Sequence, residues 1–298
     1  MNTIRDQMDR VRPVSIKAFG NESERVRKLI KENKNKLSEI EQRQKKIEAD
    51  LLEIKRLCNT SQDMLNQTKA FSYQAYRNTN ELIWAQNFNS VTENSSWLVD
   101  RRFAAGRWAV GYQYLYAVYR ILEETHPQSI LELGLGQSTK LLGQYVSSEK
   151  NAMHRVTEHD PNWIEAFRAE YPLSDHTELV QLTLEKREFR EDKSVLVYKG
   201  FQEALSDRKY DFISVDAPFG GQAEVYARID ILDLIPDCLE ERFVIIVDDY
   251  NRQGERNMLK VLEEKLAQNS IPYSRGVYSG TKDCAVICSE ELKFICSM

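Results

Sequence analysis

The sequence predicts an α/β protein: a doubly wound, mostly parallel sheet with helices on both faces, preceded by a long coiled-coil helix. From Gln128 onward, short apolar runs alternate with helix-compatible segments, as in parallel strands covered on both sides. Over residues 26–68, apolar residues follow a heptad pattern that no Gly or Pro interrupts. The expected organisation is an N-terminal arm over 1–22, a coiled-coil helix over 23–70, a hinge and helical cap over 71–127, and the α/β domain over 128–298.

The heptad segment predicts self-association. Its a positions are Ile30, Leu37, Gln44, Leu51, Cys58 and Leu65, and its d positions are Asn33, Ile40, Ile47, Ile54, Ser61 and Thr68. The flanking g and e positions carry three pairs of opposite charge, which are Lys36–Glu41, Arg43–Glu48 and Asp50–Lys55. Such pairs are typical of parallel coiled coils, and Leu at a with Ile at d favours three or four strands over two. We expect a homo-oligomer; the alternative is a single amphipathic helix lying on the globular domain.

Two helical or irregular regions connect the heptads to the sheet. Residues 78–100 are polar and turn-rich, with aromatic anchors, and are interpreted as a hinge. Helical spacing of large apolar residues then predicts a helix packed on the core, through Trp108, Tyr112, Leu115, Tyr119 and Leu122.

The α/β domain is expected to contain six strands and five helices before a closing pair of strands. The strands are predicted at 129–133, 154–158, 179–185, 194–198, 211–216 and 243–248. The helices are predicted at 138–148, 162–170, 201–206, 222–235 and 254–268. Two strand-like runs at 273–278 and 284–289 flank the turn residues 279–283, which predicts an antiparallel hairpin.

Charge and cysteine usage exclude several classes of protein. The net charge is -5, with 16 basic and 11 acidic residues in positions 1–70, so the remainder is acidic. An acidic domain lacks the basic stripe that a nucleic-acid groove requires, and no nucleic-acid partner is expected. Five cysteines without a Cys-x-x-Cys pair indicate reduced thiols, and the polar N-terminus does not resemble a signal peptide; a cytoplasmic location is expected.

The segment from Ile130 to Thr139 carries the most specific motif. A buried strand ends in Glu132, and Gly134 and Gly136 follow before a helix. Glycines permit a sharp turn and close approach to a ligand, and the helix N-terminus then offers free N–H groups. With an acid two residues before the first glycine and Ser138 in the third small position, the segment resembles motif I of class I S-adenosylmethionine (SAM) dependent methyltransferases. The resemblance implies a Rossmann-like sheet and a SAM site that includes Glu132, Gly134, Gly136 and Ser138.

Glu158 ends the second predicted strand, 26 residues after Glu132. Dinucleotide-binding folds place a carboxylate for ribose hydroxyls at about 20 residues beyond the glycine motif. We expect Glu158 to bind the ribose of SAM; the alternative is that Glu158 or the nearby Asp160 is a solvated turn residue.

Three further acids end two later strands. Asp216 follows one apolar run, and Asp248 and Asp249 follow the next. If these strands are neighbours, the carboxylates meet and repel one another unless a cation or protons compensate. Mg²⁺ or another divalent cation on these three acids is the simplest compensation, and such an ion lowers the pKa of a bound hydroxyl. The alternative is that Asp249 caps a helix and Asp216 faces water.

Longer segments around these acids narrow the resemblance to sugar O-methyltransferases. Val247–Tyr250 after Asp216 resembles the metal-binding strand ends of macrocin-type enzymes, which use Mg²⁺ and SAM. Residues 160–163, 216–220 and 252–255 are similar to glucuronoxylan 4-O-methyltransferase-like polysaccharide-biosynthesis proteins. Catechol-type enzymes carry a catalytic Lys where Phe219 stands here, so the base is left open among Asp249, His159 and a metal-bound hydroxide.

These observations predict a SAM-dependent, metal-assisted O-methyltransferase acting on a sugar hydroxyl of a glycan, with Asp216 and Asp249 as catalytic residues. A phenol or secondary metabolite is the alternative acceptor. A non-enzymatic alternative is a coiled-coil scaffold with a methyltransferase-like domain. The coiled coil is further expected to hold the domains near a partner such as a glycosyltransferase or a membrane surface.

Overall fold

A computed structural model describes the chain from Asn2 to Met298, with side chains described from Phe19 onward. The helices are α1 (Asn2–Thr92), α2 (Tyr112–Thr125), α3 (Gln137–Ser148), α4 (Pro161–Glu170), α5 (Phe201–Leu205) and α6 (Gln253–Gln268). The strands are β1 (Ser129–Leu133), β2 (Met153–Glu158), β3 (Thr177–Gln181), β4 (Leu184–Phe189), β5 (Asp192–Tyr198), β6 (Tyr210–Val215), β7 (Leu239–Val247), β8 (Tyr273–Ser279) and β9 (Asp283–Ser289). Two 3-10 helices span Ile229–Asp233 and Glu290–Ser297.

Seven strands form one sheet in the order β3-β2-β1-β6-β7-β9-β8. The first five are parallel, and β9 runs antiparallel to both β7 and β8. The closing hairpin expected from the sequence is therefore confirmed. The chain leaves β1 toward β3 on one side and returns to place β6 on the other side of β1. This reversal opens a crevice at the carboxyl ends of β1 and β6, where doubly wound sheets bind their ligands.

Both faces of the sheet are covered, which explains why the strands are almost continuously apolar. Alternate residues of one strand enter different cores because successive side chains point to opposite faces. Leu131, Ile213 and Ile245 face the core that α6 covers, whereas Phe212 and Val244 face the core built by α2 and α3. The mixed α/β class predicted from the sequence is confirmed.

Two predictions within the α/β domain are wrong. The apolar run predicted as one strand over 179–185 contains a break, with β3 ending at Gln181 and β4 beginning at Leu184. β4 pairs only with β5, in a separate two-stranded antiparallel sheet, so the strand predicted at 194–198 lies outside the main sheet.

The helix predicted over 222–235 is an irregular loop followed by the short 3-10 helix, because ionic contacts of this segment override its helical pattern.

The predicted hinge over 78–100 is also wrong for most of its length. α1 continues to Thr92, and only residues 93–100 are irregular. The chain divides into two compact units, Met1–Phe71 and Ser72–Met298, so residues 72–127 belong to the same unit as the sheet. Trp84 and Phe88 of α1 pack in that unit's core, which explains the helical continuation. No helix within the described residues is long and apolar enough to cross a membrane.

The first unit exposes its heptad residues along α1. Ile30, Leu37 and Ile40 keep 51%, 62% and 60% of their surface exposed, and Ile47 and Leu51 keep 59% each. Among residues 19–71, the six charged residues at the g and e positions form no ion pair within the chain. Burial of an apolar seam contributes about 25 cal/mol per Å². We propose that this seam pairs in parallel with copies of the same chain, as the charge pairs favour.

Deletion of residues 1–70 tests this proposal by light scattering. The full-length chain is expected to be an oligomer at micromolar concentration, because exposed seams of this length associate through burial of apolar surface. The truncated chain is expected to stay folded, with a cooperative thermal transition, and to be smaller by more than the deleted mass. A monomeric full-length chain would contradict parallel association.

Candidate functional site

The carboxyl ends of four strands stand level at one edge of the sheet. The last residues of β1, β6 and β7 are in register, with Leu133 opposite Val215 and Val215 opposite Val247. The next residue continues the ladder on each strand, since Asp216 N–H donates to Leu133 O at 3.0 Å and Asp248 N–H donates to Val215 O at 3.0 Å. The first residues beyond β1, β2, β6 and β7 therefore share one crevice, as the sequence predicted for neighbouring strand ends.

The two motif glycines serve different purposes. Gly134 has a φ of +103°, and a Cβ placed there would lie 2.9 Å from the Cβ of Ala217. The turn out of β1 thus requires glycine both for its backbone conformation and for the passage of the β6 loop. Gly136 is the N-cap of α3 and has no atom within 4 Å of a built Cβ. The extended backbone of Gly136 is one that any residue can adopt. The absence of a side chain at Gly136 therefore serves to keep the space above the loop open.

Glu132 lies beneath this loop and organises it. Its carboxylate is fully buried and accepts a hydrogen bond from the Thr139 hydroxyl at 2.8 Å, while Gly136 N–H donates to the same hydroxyl at 2.8 Å. His154 Nε2 lies 3.1 Å from the same carboxylate oxygen, Glu132 Oε2. Thr139, which replaces the third glycine of the dinucleotide motif, therefore links the strand acid to the loop. Ser138 is buried in the first turn of α3.

Glu158 faces the same loop from the end of β2. Its Oε1 accepts from the backbone N–H of His159 at 2.7 Å and of Asp160 at 2.9 Å, and its Oε2 accepts from Leu135 N–H at 3.3 Å. These donors hold the carboxylate in place. His159, a candidate base, directs Nδ1 to Glu158 Oε1 at 2.7 Å. Asp160 caps α4, accepting from Asn162 N–H at 2.9 Å, a role that the sequence analysis did not assign to it.

Asp216, Asp248 and Asp249 are brought together, as expected. One carboxylate oxygen of each lies within 4.8 Å of the others. Asp248 is fully buried and Asp249 is nearly so, whereas the Asp216 side chain keeps 20% of its surface exposed. Asp249 also adopts a φ of +58°, a left-handed conformation that Asp tolerates better than most residues.

Two cations that sequence reasoning missed lie directly on these acids. Arg228, with 2% of its side chain exposed, places Nη2 2.7 Å from Asp249 Oδ2 and 3.1 Å from Asp216 Oδ1. Lys282 places Nζ 3.2 Å from Asp248 Oδ2 and 3.4 Å from Asp249 Oδ1. Arg228 lies in the segment predicted as a helix, and Lys282 lies in the turn between β8 and β9. Neither position carries a sequence signal, because only the fold brings them to β6 and β7.

Burial and charged neighbours shift the pKa values of Asp216, Asp249 and Lys282. Burial raises the pKa of Asp216 well above its ordinary value, and the neighbouring Asp248 carboxylate raises it further. For Asp249, burial acts in the same direction, but Arg228, Lys282 and Arg252 outweigh it and lower the pKa. Burial lowers the pKa of Lys282, but Asp248 and Asp249 outweigh it and raise the pKa above its ordinary value. Lys282 is therefore charged at neutral pH.

The donor set does not fit a divalent cation as it stands. The three acids supply the hard oxygen ligands that Mg²⁺ prefers, and Asp248 Oδ1 is buried without a hydrogen-bond partner. However, Lys282 Nζ lies between Asp248 and Asp249, and Asp249 Oδ2 is also 2.8 Å from Arg252 Nη1. The repulsion from which the sequence analysis inferred a metal is thus compensated by side chains of the protein.

A small cleft and two exposed aromatic rings adjoin the acids. The cleft measures 260 Å³ and is lined by β4, β5 and residues 219–228, including Arg228. The ring centroids of Trp108 and Phe219 are 5.9 Å apart, and the two side chains are 84% and 45% exposed. A larger cleft of 480 Å³ lies around residues 125–128, at the amino-terminal edge of the sheet. Because Arg228 contacts Asp216 and Asp249, the smaller cleft is the one that borders the three acids, although neither cleft is lined by Gly136 or Glu158.

Comparisons with known proteins give structural likenesses only. No protein-family profile matches the sequence, and no curated protein sequence matches it. A Staphylococcus aureus protein assigned as a caffeoyl-CoA O-methyltransferase is 15% identical over 76% of this chain and 99% of its own, with a TM-score of 0.41. An SAH-bound methyltransferase from Podospora anserina is 15% identical over 76% of this chain and 95% of its own, with a TM-score of 0.40.

A spermidine synthase is also similar, at 10% identity over 60% of this chain and 59% of its own, with a TM-score of 0.39. Two chemistries are thus represented among proteins similar to this chain. Likeness of this degree leaves its activity to be argued from its own residues.

Arg228→Met tests whether the acids depend on this buried guanidinium. Removing one partner of a buried ion pair typically costs about 3–5 kcal/mol, since an uncompensated charge remains inside the protein. Urea unfolding should show a loss of that size. Arg208→Met is the control, because its ion pairs with Glu178 and Asp207 are partly exposed and such pairs contribute about 0–1 kcal/mol. Equal, small losses for both variants would contradict the role of Arg228.

Proposed function

We propose that this protein is a SAM-dependent O-methyltransferase. The observation that carries the proposal is the shared crevice, in which a glycine loop with open space at Gly136 and the held carboxylate of Glu158 stand beside the acids of β6 and β7. A ligand cradled by the loop lies next to groups that can accept a hydroxyl proton. The motif I resemblance identifies that ligand as SAM.

Bound SAM would supply an electrophilic methyl group at this edge of the sheet. Gly136 leaves room for it, the first turn of α3 offers N–H donors, and Glu158 Oε2 retains lone pairs for ribose hydroxyls. Glu132 has no exposed surface, so we assign it to the loop's geometry. This refines the expectation that it contacts SAM directly.

Asp216 is the group that we propose to accept the hydroxyl proton of the acceptor. It is the most exposed of the three acids, and only Arg228 Nη2 lies on its carboxylate. Asp249, the other candidate, has Arg228 and Arg252 on one oxygen and Lys282 on the other. Asp216 would hold that proton while the hydroxyl oxygen bonds to the methyl carbon and the sulfur–methyl bond of SAM breaks, with the electron pair staying on the sulfur.

We propose a sugar hydroxyl as the acceptor, on the basis of the resemblance to sugar O-methyltransferases. The exposed rings of Trp108 and Phe219, tilted by 50° to each other, form an apolar surface at the segment that follows Asp216, and either ring can pack on the face of a sugar ring. The cleft of 260 Å³ lies just below the lower end of drug-sized pockets, about 300 Å³, and therefore suits one ring-sized group. A phenolic ring would use the same surface, so phenols are the alternative acceptors.

Isothermal titration calorimetry with SAM tests the cofactor site. Gly136→Val is expected to abolish binding while the protein stays folded, because the side chain fills the open space and the backbone is unstrained. Glu158→Ala is expected to weaken binding by about 1.5–3 kcal/mol, the scale of a charge-assisted hydrogen bond. Gly134→Val is less informative, since it would clash with Ala217 of the protein itself.

Gly143→Ala in the middle of α3 is the matched control. A Cβ at Gly143 meets Tyr171 at an ordinary 3.9 Å, so SAM affinity should equal that of the wild type. Wild-type affinity in Gly136→Val would remove the glycine loop from the site. Absence of SAM binding by the wild type would favour a scaffold over an enzyme.

Trp108→Ala tests the acceptor surface. We expect a higher KM for the acceptor, with unchanged SAM affinity, because the ring is largely exposed and contributes contact area rather than stability. Sugar nucleotides, oligosaccharides and catechols should be compared as acceptors in a methyl-transfer assay. An unchanged KM would place the acceptor elsewhere.

A further inference from the structure

We infer that Lys282 takes the place of the divalent cation at the acid cluster, so that the protein uses a built-in ammonium and needs no metal. The inference rests on the proposed function for its catalytic consequence. The contacts of Lys282, and of the turn that carries Lys282, do not depend on the proposed function.

Lys282 occupies the position that a bridging cation would take. Its Nζ lies within 3.4 Å of both Asp248 and Asp249, whose carboxylates are themselves buried. Asp216 is joined to the same cluster through Arg228. A divalent ion on the three acids would have to displace Lys282 and leave its ammonium largely buried beside a second positive charge. Like charges at that distance repel strongly in a poorly solvated site.

The turn that carries Lys282 is held in place by the end of α1. Arg77 Nη1 lies 2.6 Å from Asp283 Oδ1, and Glu81 Oε2 accepts from Thr281 N–H at 2.8 Å. Trp84 Nε1 donates to Ser279 O at 2.8 Å. These contacts are spread over about two turns of the helix and fix both sides of Lys282.

Glycine at position 280 makes this close seating possible. A Cβ on Gly280 would overlap the Glu81 carboxylate and the Gln113 side chain. On the other side of Lys282, Tyr250 N–H donates to Asp283 O at 2.8 Å, which ties the turn to the segment after Asp249. Lys282 is therefore positioned before any ligand binds, as a resident cation must be.

The ammonium can also perform the binding task of the ion. It has three N–H donors, of which Asp248 accepts one at 3.2 Å, and Asp249 Oδ1 lies 3.4 Å away as an ion-pair partner. With 14% of its side chain exposed, Lys282 keeps one donor for the oxygen of an acceptor hydroxyl at the mouth of the site. Asp216 is the neighbouring group that we assign to the proton of that hydroxyl. Lys282 thereby orients the acceptor, and Arg228 completes the charge balance.

The test combines metal binding with activity. Mn²⁺ binding, followed by electron paramagnetic resonance, should be undetectable in the wild type. Binding should become detectable in Lys282→Met, which keeps the aliphatic stem but removes the competing charge. Lys260→Met is the matched control, since Lys260 is exposed on α6, and it should behave as the wild type. Mn²⁺ binding that is equal in all three proteins would overturn the inference.

Methyl transfer provides the second readout, with folding of each variant checked by thermal unfolding. EDTA should leave the wild-type rate unchanged. Lys282→Met should lower kcat by about 10²-fold, the usual effect of removing one donor to a reacting oxygen, while SAM affinity is retained. Lys282→Arg should recover part of the rate. Loss of wild-type activity in EDTA, restored by Mg²⁺, would overturn the inference about Lys282 but not the proposed methyltransferase function. Absence of SAM binding would overturn the proposed function, and the Mn²⁺ measurement would then decide the role of Lys282.

Discussion

The ionic cluster at the ends of β6 and β7 is the interaction on which the site depends. Burying Asp248 and Asp249 is costly unless cations lie against them, and Arg228 and Lys282 supply this compensation from two distant parts of the chain. Each cation therefore fixes a loop. Arg228 anchors the segment before the 3-10 helix, and Lys282 anchors the closing hairpin. The shape of the acidic edge is a consequence of these pairings.

The regular sheet supplies the other half of the site. Because β1, β6 and β7 end in register and β2 ends one residue further on, the glycine loop, the Glu158 carboxylate and the acids lie at the same edge of the sheet. The glycine loop is stiffened from below by Glu132 and Thr139, which leaves its upper side free. The glycine loop and the ion-paired acids thus face one crevice, and both are held rigidly. Rigid positioning of two neighbouring binding surfaces favours a reaction between the molecules bound to them.

Much of the fold was predictable from periodicity, and the failures have a common origin. β1 and α3, whose patterns are strongly apolar or amphipathic, begin and end within one residue of their predicted limits. The segment 222–235 has a helical pattern, but its Arg228 adopts a φ of +56° to reach the acids, which ends any helix there. The hinge failed for a related reason, since aromatic anchors that suggested a turn-rich linker instead pack α1 against the core.

The sequence by itself determined the α/β class, the glycine loop, the acids at the strand ends and the heptad seam, because each depends on neighbours in the chain. Only the tertiary structure decided how the acids are neutralised. Lys282 lies 34 residues from Asp248 along the chain and 3.2 Å away in space. Local patterns carry no information on such a pairing, and a metal was the simplest inference without it. The contact of Lys282 is the observation from which we propose a lysine in place of that metal.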